Sequence, residues 1–240
     1  MSTSQPTGGT PLTARHAPLG FLLDVDNTLL DNDGVKEWLA TRLREALGEK
    51  GSALFWELYE SVRGERDVVD LPLTAARYAE RGGYNAAAVP GILERVPFAD
   101  FLYPHALETL RRLDTLGAVA ILTDGDQVFQ RRKIERSGLA AAVEGNVLIY
   151  THKQQHLTEV ADFQPVDHSV IVDDKATILR DVKEAMGARV TTVHVTQGHY
   201  ARAPLPDGFR PDITVQAIGD LLTLDARDFM RTDGTIDGEG

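Results

Sequence analysis

With 240 residues, 42% of them hydrophobic, the chain is long enough for one large domain or for a core domain with a smaller insert. Its formal net charge of -11 argues against a general binder of nucleic acid or membrane surfaces, since both are polyanionic. The absence of cysteine excludes a disulfide framework, a thiol nucleophile and a cysteine metal site, and it is compatible with the cytoplasm.

Residues 1–19 are rich in Ser, Thr, Gly and Pro and lack the basic start and apolar centre of a signal peptide, so they predict a flexible tail. No run approaches the length of a membrane span, and a cytoplasmic protein without a membrane partner is expected. The run Phe21 to Leu30 is an apolar strand that ends in Asp24, Asp26 and Thr28 at alternate positions. Between Leu29 and Pro104 lies a connection far longer than the usual few residues, so something folds there. Val35, Trp38, Leu39, Leu43, Ala46 and Leu47 recur at helical spacing, as do Leu54, Phe55, Leu58, Tyr59 and Val62. Gly48 and Gly51 separate these two helices, with Ser52 as a cap for the second. Leu73 to Tyr78 and the stripe Val89, Ile92, Leu93 and Val96 complete a four-helix insertion over 31–103.

After Pro104 strands and helices alternate. Leu107, Leu110 and Leu113 mark a helix closed by Gly117, and the strand Ala118 to Leu122 follows, ending in Thr123-Asp124-Gly125. A helix from Phe129 to Arg136 leads to the strand Val147 to Tyr150, followed by Thr151-His152-Lys153. Leu157, Val160 and Ala161 suggest the next helix, and the strand Ser169 to Val172 ends in Asp173-Asp174. The stripe Leu179, Val182, Ala185 and Met186 stops at Gly187, a strand runs from Arg189 to Val195, and Asp212 to Val215 is a short sixth. This alternation predicts an α/β fold, a Rossmann-like parallel sheet with helices on both faces. The core covers 20–30 and 104–225, and residues 226–240 form a second flexible tail.

Four strands thus stop at polar groups able to bind phosphate or metal, and in an open parallel sheet the carboxyl ends of strands converge on one crevice. In these residues the chain resembles the haloacid dehalogenase superfamily, and specifically its phosphatases. Asp24-Val25-Asp26-Asn27-Thr28 matches the first motif of that family, Thr123 the second, Lys153 the third and Asp173-Asp174 the fourth. The agreement spans about Gly20 to Val195. Two departures are Asn27, where glycine is more usual, and the acidic Asp124 directly after the motif threonine.

The resemblance implies a magnesium-dependent phosphatase that hydrolyses small phosphorylated metabolites through an aspartyl-phosphate. Asp24 is then the nucleophile and Asp26 the acid and base at the leaving oxygen. Thr123, with the backbone amide of Asp124, holds a phosphoryl oxygen, and Lys153 supplies positive charge to the nucleophile and the phosphoryl group. Asp24, the carbonyl of Asp26 and Asp174 are the expected magnesium ligands, with Asp173 acting through water or hydrogen bonds. The insertion over 31–103 corresponds to the helical cap of many members. Lys133 and Lys175 are alternatives to Lys153 that its position after the third strand disfavours. His152 and His156 read as surface histidines, and Arg63, Arg66 and Arg77 as solvated cap residues. A sugar phosphomutase and a non-enzymatic phosphate-responsive binding protein remain as alternatives. Asp26 speaks against a dehalogenase, whose first motif generally lacks that carboxylate, and Lys36 and Lys50 are poorly placed for the Schiff base of a phosphonate hydrolase.

Overall fold

The computed structural model describes residues 17–66 and 68–230. Six strands form one wholly parallel sheet: β1 (Ala17–Leu23), β2 (Ala118–Asp124), β3 (Val147–Tyr150), β4 (Val166–Asp173), β5 (Val190–Val195) and β6 (Ile213–Val215), in the order β3-β2-β1-β4-β5-β6. β1 lies at the middle, and the chain reverses direction across the sheet beside it. Crevices open at such a switch point, outside the carboxyl ends of the strands.

Alternation of side chains sends each strand's apolar residues to both faces. Leu19, Phe21 and Leu23 of β1 join Val119, Ile121 and Val170 in one buried cluster, while Leu22 joins Ala120, Leu122 and Ile171 in the other. Against the first face pack α4 (Ala106–Asp114), α5 (Gln127–Arg136) and α6 (Leu139–Ala142), through Leu110, Leu113, Phe129, Ile134 and Leu139. Against the second lie α7 (Leu157–Phe163) and α8 (Ala176–Met186), through Val160, Ile178, Leu179 and Val182. Sheet edges are thereby left short and both faces covered, as a parallel sheet requires.

The described part of the long connection after β1 is mostly helical. It holds α1 (Asn32–Arg66), α2 (Leu71–Glu80) and α3 (Val89–Glu94), with short 3-10 turns at Ala86–Ala88 and Phe98–Phe101. α1 is kinked at Gly48, whose φ of 69° and ψ of 172° break the helical path. Only glycine adopts that combination without strain. Helix resumes at once beyond the kink, so Ser52 is buried within it and does not cap it. The two segments that connect this insertion to the sheet pair with each other. The amide of Tyr103 donates to the carbonyl of Leu29 (3.0 Å) and that of Asp31 to Phe101 (2.8 Å).

Both expected tails are shorter than composition suggested. β1 begins at Ala17, and Leu19 is 1% exposed, so residues 17–19 belong to the sheet. At the other end Phe229 is fully buried, its ring edge-on to Phe21 with centroids 5.0 Å apart. The carbonyl of Phe229 also accepts from the Thr191 hydroxyl at 2.7 Å. A single apolar side chain therefore extends the packed chain to Met230; the remainder of the predicted tails, 1–16 and 231–240, lies outside the described residues. Among the described residues no helix is long and apolar enough to cross a membrane.

Candidate active site

Asp24 follows β1 directly, still paired with the sheet through its amide to the Val172 carbonyl (2.9 Å). The chain then turns sharply. The carbonyl of Val25 accepts from the amides of Thr28, Leu29 and Leu30, and Asn27 sits in the left-handed region with φ of 63°. This explains the departure from glycine at position 27: Asn is the residue, after glycine, that tolerates this conformation best. Its side chain gains a further use. The Asn27 Oδ1 accepts from the amides of Asn32 (3.0 Å) and Asp33 (3.3 Å), capping α1, and its Nδ2 lies 3.2 Å from His199 Nδ1. Gly198 meets the same side chain so closely that a Cβ there would fall 2.5 Å from Asn27 Cγ.

Three carboxylates gather at the ends of β1 and β4. Asp24, Asp173 and Asp174 each present an oxygen, all three within 4.8 Å of one another, and all three residues are buried. Lys153, 2% exposed, lies among them: its Nζ is 2.5 Å from Asp24 Oδ1, 2.7 Å from Asp173 Oδ2 and 3.1 Å from the Leu122 carbonyl. Burial opposes its charge, but Asp173, Asp24 and Asp124 outweigh that and raise its pKa above the usual lysine range, so the ammonium is locked in. The same balance fails for Asp174. Both its carboxylate oxygens are buried without a hydrogen-bond partner, and burial, with Asp173 and Asp24 beside it, pushes its pKa up to about 9. Asp173 is raised too, by burial, although Lys153 lowers it in part. Its Oδ1 accepts from the Lys175 amide (2.9 Å). Neither aspartate caps α8, whose N-cap is Lys175.

A partnerless buried carboxylate beside two others is a donor set for a hard divalent cation, which takes oxygen ligands and offsets their repulsion. The surroundings of the pair differ: Asp173 is engaged with Lys153 and the Lys175 amide, whereas neither carboxylate oxygen of Asp174 has a hydrogen-bond partner.

Asp26 stands outside this cluster. It lies beyond the end of the strand, which stops at Leu23. Its Oδ1 instead takes Lys133 Nζ at 2.6 Å, and Lys133, 2% exposed, also donates to Asn32 Oδ1 at 3.0 Å. Thr123 is buried, and its hydroxyl oxygen accepts from Gln130 Nε2 at 3.1 Å. The carboxylate of Asp124 accepts from the backbone amide of Lys153 (2.7 Å), which fixes the start of the loop after β3.

Gln130 and Asn32 are neighbours that motif reasoning missed, and Lys133, weighed there only as an alternative to Lys153, pairs instead with Asp26. A signal for two of them was present: Gln130 and Lys133 share a buried helical stripe with Phe129 and Ile134, an odd place for polar side chains that have no task. The two histidines are not simply on the surface. His152 lines the cavity described next, and His156 stacks on Tyr150 with centroids 4.3 Å apart. Of the three arginines only Arg63 reaches the cavity; Arg66 pairs with Asp70 and Arg77 with Glu65.

Above the strand ends, between sheet and helical insertion, lies a cavity of about 290 Å³. Asp26, Asp124 and Lys133 line it from the sheet side, and Leu39, Trp56 and Tyr59 from the helices.

A family model for haloacid dehalogenase-like hydrolases matches residues 19–195. Among solved structures the chain is similar to one from Burkholderia xenovorans LB400, described as a haloacid dehalogenase-like hydrolase, at 44% identity over 89% of this chain and 98% of that one, with a TM-score of 0.82. At 16% identity the fold alone is shared with the magnesium-bound HAD-hydrolase YfnB of Bacillus subtilis (TM-score 0.59, 88% and 100% covered). The same holds for the L-2-haloacid dehalogenase of Xanthobacter autotrophicus (16% identity, TM-score 0.56, 85% and 96% covered). No curated protein matches the chain.

Proposed function

The chain belongs to the haloacid dehalogenase-like hydrolases, and from that premise we propose that it is a magnesium-dependent phosphatase of small phosphomonoesters working through an aspartyl-phosphate on Asp24. The observation that carries this reading is the buried trio Asp24, Asp173 and Asp174, with both Asp174 oxygens lacking any partner. Asp24, the Asp26 carbonyl and Asp174 would hold magnesium, which when bound neutralises the carboxylates and the phosphoryl oxygens.

The protein's own groups do the rest. Lys153 holds Asp24 by Oδ1, leaving the other oxygen to attack phosphorus as the ester bond breaks. Asp26 starts this step protonated on Oδ2, its Oδ1 staying with Lys133, and passes that proton to the leaving oxygen. A water then gives its proton to Asp26 and attacks the same phosphorus, releasing phosphate and restoring the Asp24 carboxylate. Gln130 donates to the Thr123 oxygen, so the proton of Thr123 is free to hold a phosphoryl oxygen. Lys133 and Asn32 keep the Asp26 carboxylate beside the cavity. The helical insertion over 31–103 serves as the cap that encloses the ester.

The test is phosphate release from p-nitrophenyl phosphate and an alkyl phosphate, with and without magnesium, beside halide release from 2-chloropropionate. Magnesium-dependent phosphate release is expected, abolished in Asp24→Asn with the fold intact. Asp26→Asn should fall furthest on the alkyl ester, whose leaving oxygen most needs a proton. Halide release without phosphatase activity would place the chain with the dehalogenases.

A further inference from the structure

Resting on the magnesium reading above, we infer that His194 is a positioning residue for the metal: its ring holds the backbone of Asp174, and through it the carboxylate that would bind the cation. His194 lies on β5, which runs beside β4 with Asp173 opposite His194. It is 4% exposed, and its Nε2 lies 3.0 Å from the carbonyl oxygen of Asp174. A carbonyl only accepts, so the ring carries a proton on Nε2 and donates it here.

That bond matters because nothing grips Asp174 from the other end. Both its carboxylate oxygens are buried without a hydrogen-bond partner. An aspartate carboxylate is joined to its Cα through two torsions, so where its oxygens sit follows from where the backbone places the residue. The turn from β4 into α8 is tied at two points. Within it, the Lys175 amide donates to Asp173 Oδ1 at 2.9 Å; from outside, His194 donates to Asp174. Only the second tie holds Asp174 itself, and it comes from another strand.

The composition of β5 points the same way. Every residue of the strand is buried, and a polar side chain there loses its hydration unless it finds a partner. The Thr191 hydroxyl donates to the Phe229 carbonyl at 2.7 Å and that of Thr192 to Asp212 Oδ2 at 2.8 Å, so these two fasten the later chain to the sheet. Of the three polar residues in β5, His194 is the one bonded to the carboxylate cluster. Groups that hold a metal ligand from behind commonly account for about ten- to a hundredfold in metal affinity.

Three variants separate the donated bond from packing. His194→Leu keeps a buried side chain and loses the donor. His194→Gln brings its amide nitrogen to the place of the ring Nε2, and His194→Asn, one methylene shorter, does not reach it. Calorimetric titration with magnesium chloride should show His194→Leu and His194→Asn binding at least about tenfold more weakly than wild type, with His194→Gln within about threefold. The rise in melting temperature on adding magnesium should shrink in the first two, whereas a purely structural loss would lower the melts with chelator and with magnesium alike. In phosphate release from p-nitrophenyl phosphate, the magnesium concentration for half-maximal rate should move up with the dissociation constant. If His194→Leu does not fold, the pair His194→Gln and His194→Asn makes the same comparison. Wild-type magnesium affinity in the leucine or asparagine variant, or equal weakening in His194→Gln, overturns the inference while the phosphatase reading stands. No magnesium binding and no metal-dependent phosphate release by the wild type defeats both.

Discussion

At the scale of single residues, Asp174 is a buried carboxyl group with no hydrogen-bond partner for either oxygen. Its folded-state pKa of about 9 lies above the ordinary aspartate value of about 4. A folded state that binds the proton more tightly than the unfolded one is favoured at low pH. Its stability therefore falls as pH rises from about 4 towards 9 in protein stripped of metal. Magnesium competes with that proton, so its stabilising effect should be larger at pH 8.5 than at pH 5.5. Asp174→Asn should raise the stability of the metal-free protein at pH 8.5 by roughly 1–3 kcal/mol and abolish the response to magnesium. Thermal melts with magnesium and with chelator, at both pH values, check each part. A magnesium shift that survives in Asp174→Asn would remove this residue from the ligand set.

At the scale of elements, the turn after β1 shows one side chain meeting two demands. Position 27 needs a left-handed backbone, and α1 needs acceptors for its first amides. Asn27→Gly keeps the backbone and loses the cap, which should cost about 1 kcal/mol. Asn27→Ala loses the cap and adds left-handed strain, for a total of about 2–3 kcal/mol. Chemical denaturation of the two variants distinguishes these contributions; equal losses would mean that the backbone conformation is not under demand. The same side chain contacts His199 and Gly198, so both variants should also loosen the loop after β5, seen as faster amide exchange there.

At the scale of the whole molecule, one apolar cluster runs from the inner face of the sheet through Leu29, Leu30 and Phe98 into the helical insertion. Insertion and sheet are therefore packed together and not merely linked, and the apolar wall of the cavity is the margin of that shared core. The chain's end is part of it as well. Phe229→Ala removes a fully buried ring from against Phe21 and should cost about 3–5 kcal/mol, measured by urea unfolding. A loss below about 1 kcal/mol would show that the segment is a removable tail. Gly117 marks another close approach within the sheet: a Cβ there would lie 2.2 Å from the Leu19 carbonyl oxygen, so the turn into β2 admits no side chain.

What the sequence determined by itself was the part written in local patterns. Apolar and β-branched runs located all six strands to within a few residues, four of them ending in polar groups, because a parallel strand is buried on both faces. Helical spacing located the insertion. Position at a strand end singled out Asp24, Lys153, Asp173 and Asp174 as candidates, and the fold brings these four side chains together, since parallel strands deliver their carboxyl ends to one side of the sheet. Only the tertiary structure decided which charges meet. Lys133 pairs with Asp26 across 107 residues and Lys153 with Asp24 across 129, and no local pattern encodes such a choice. The same limit explains the ends of the chain, where a buried Phe229 outweighs a composition typical of tails, and Tyr59, which looked like one more apolar position on a helix. Only the folded chain shows that its hydroxyl is buried with no hydrogen-bond partner.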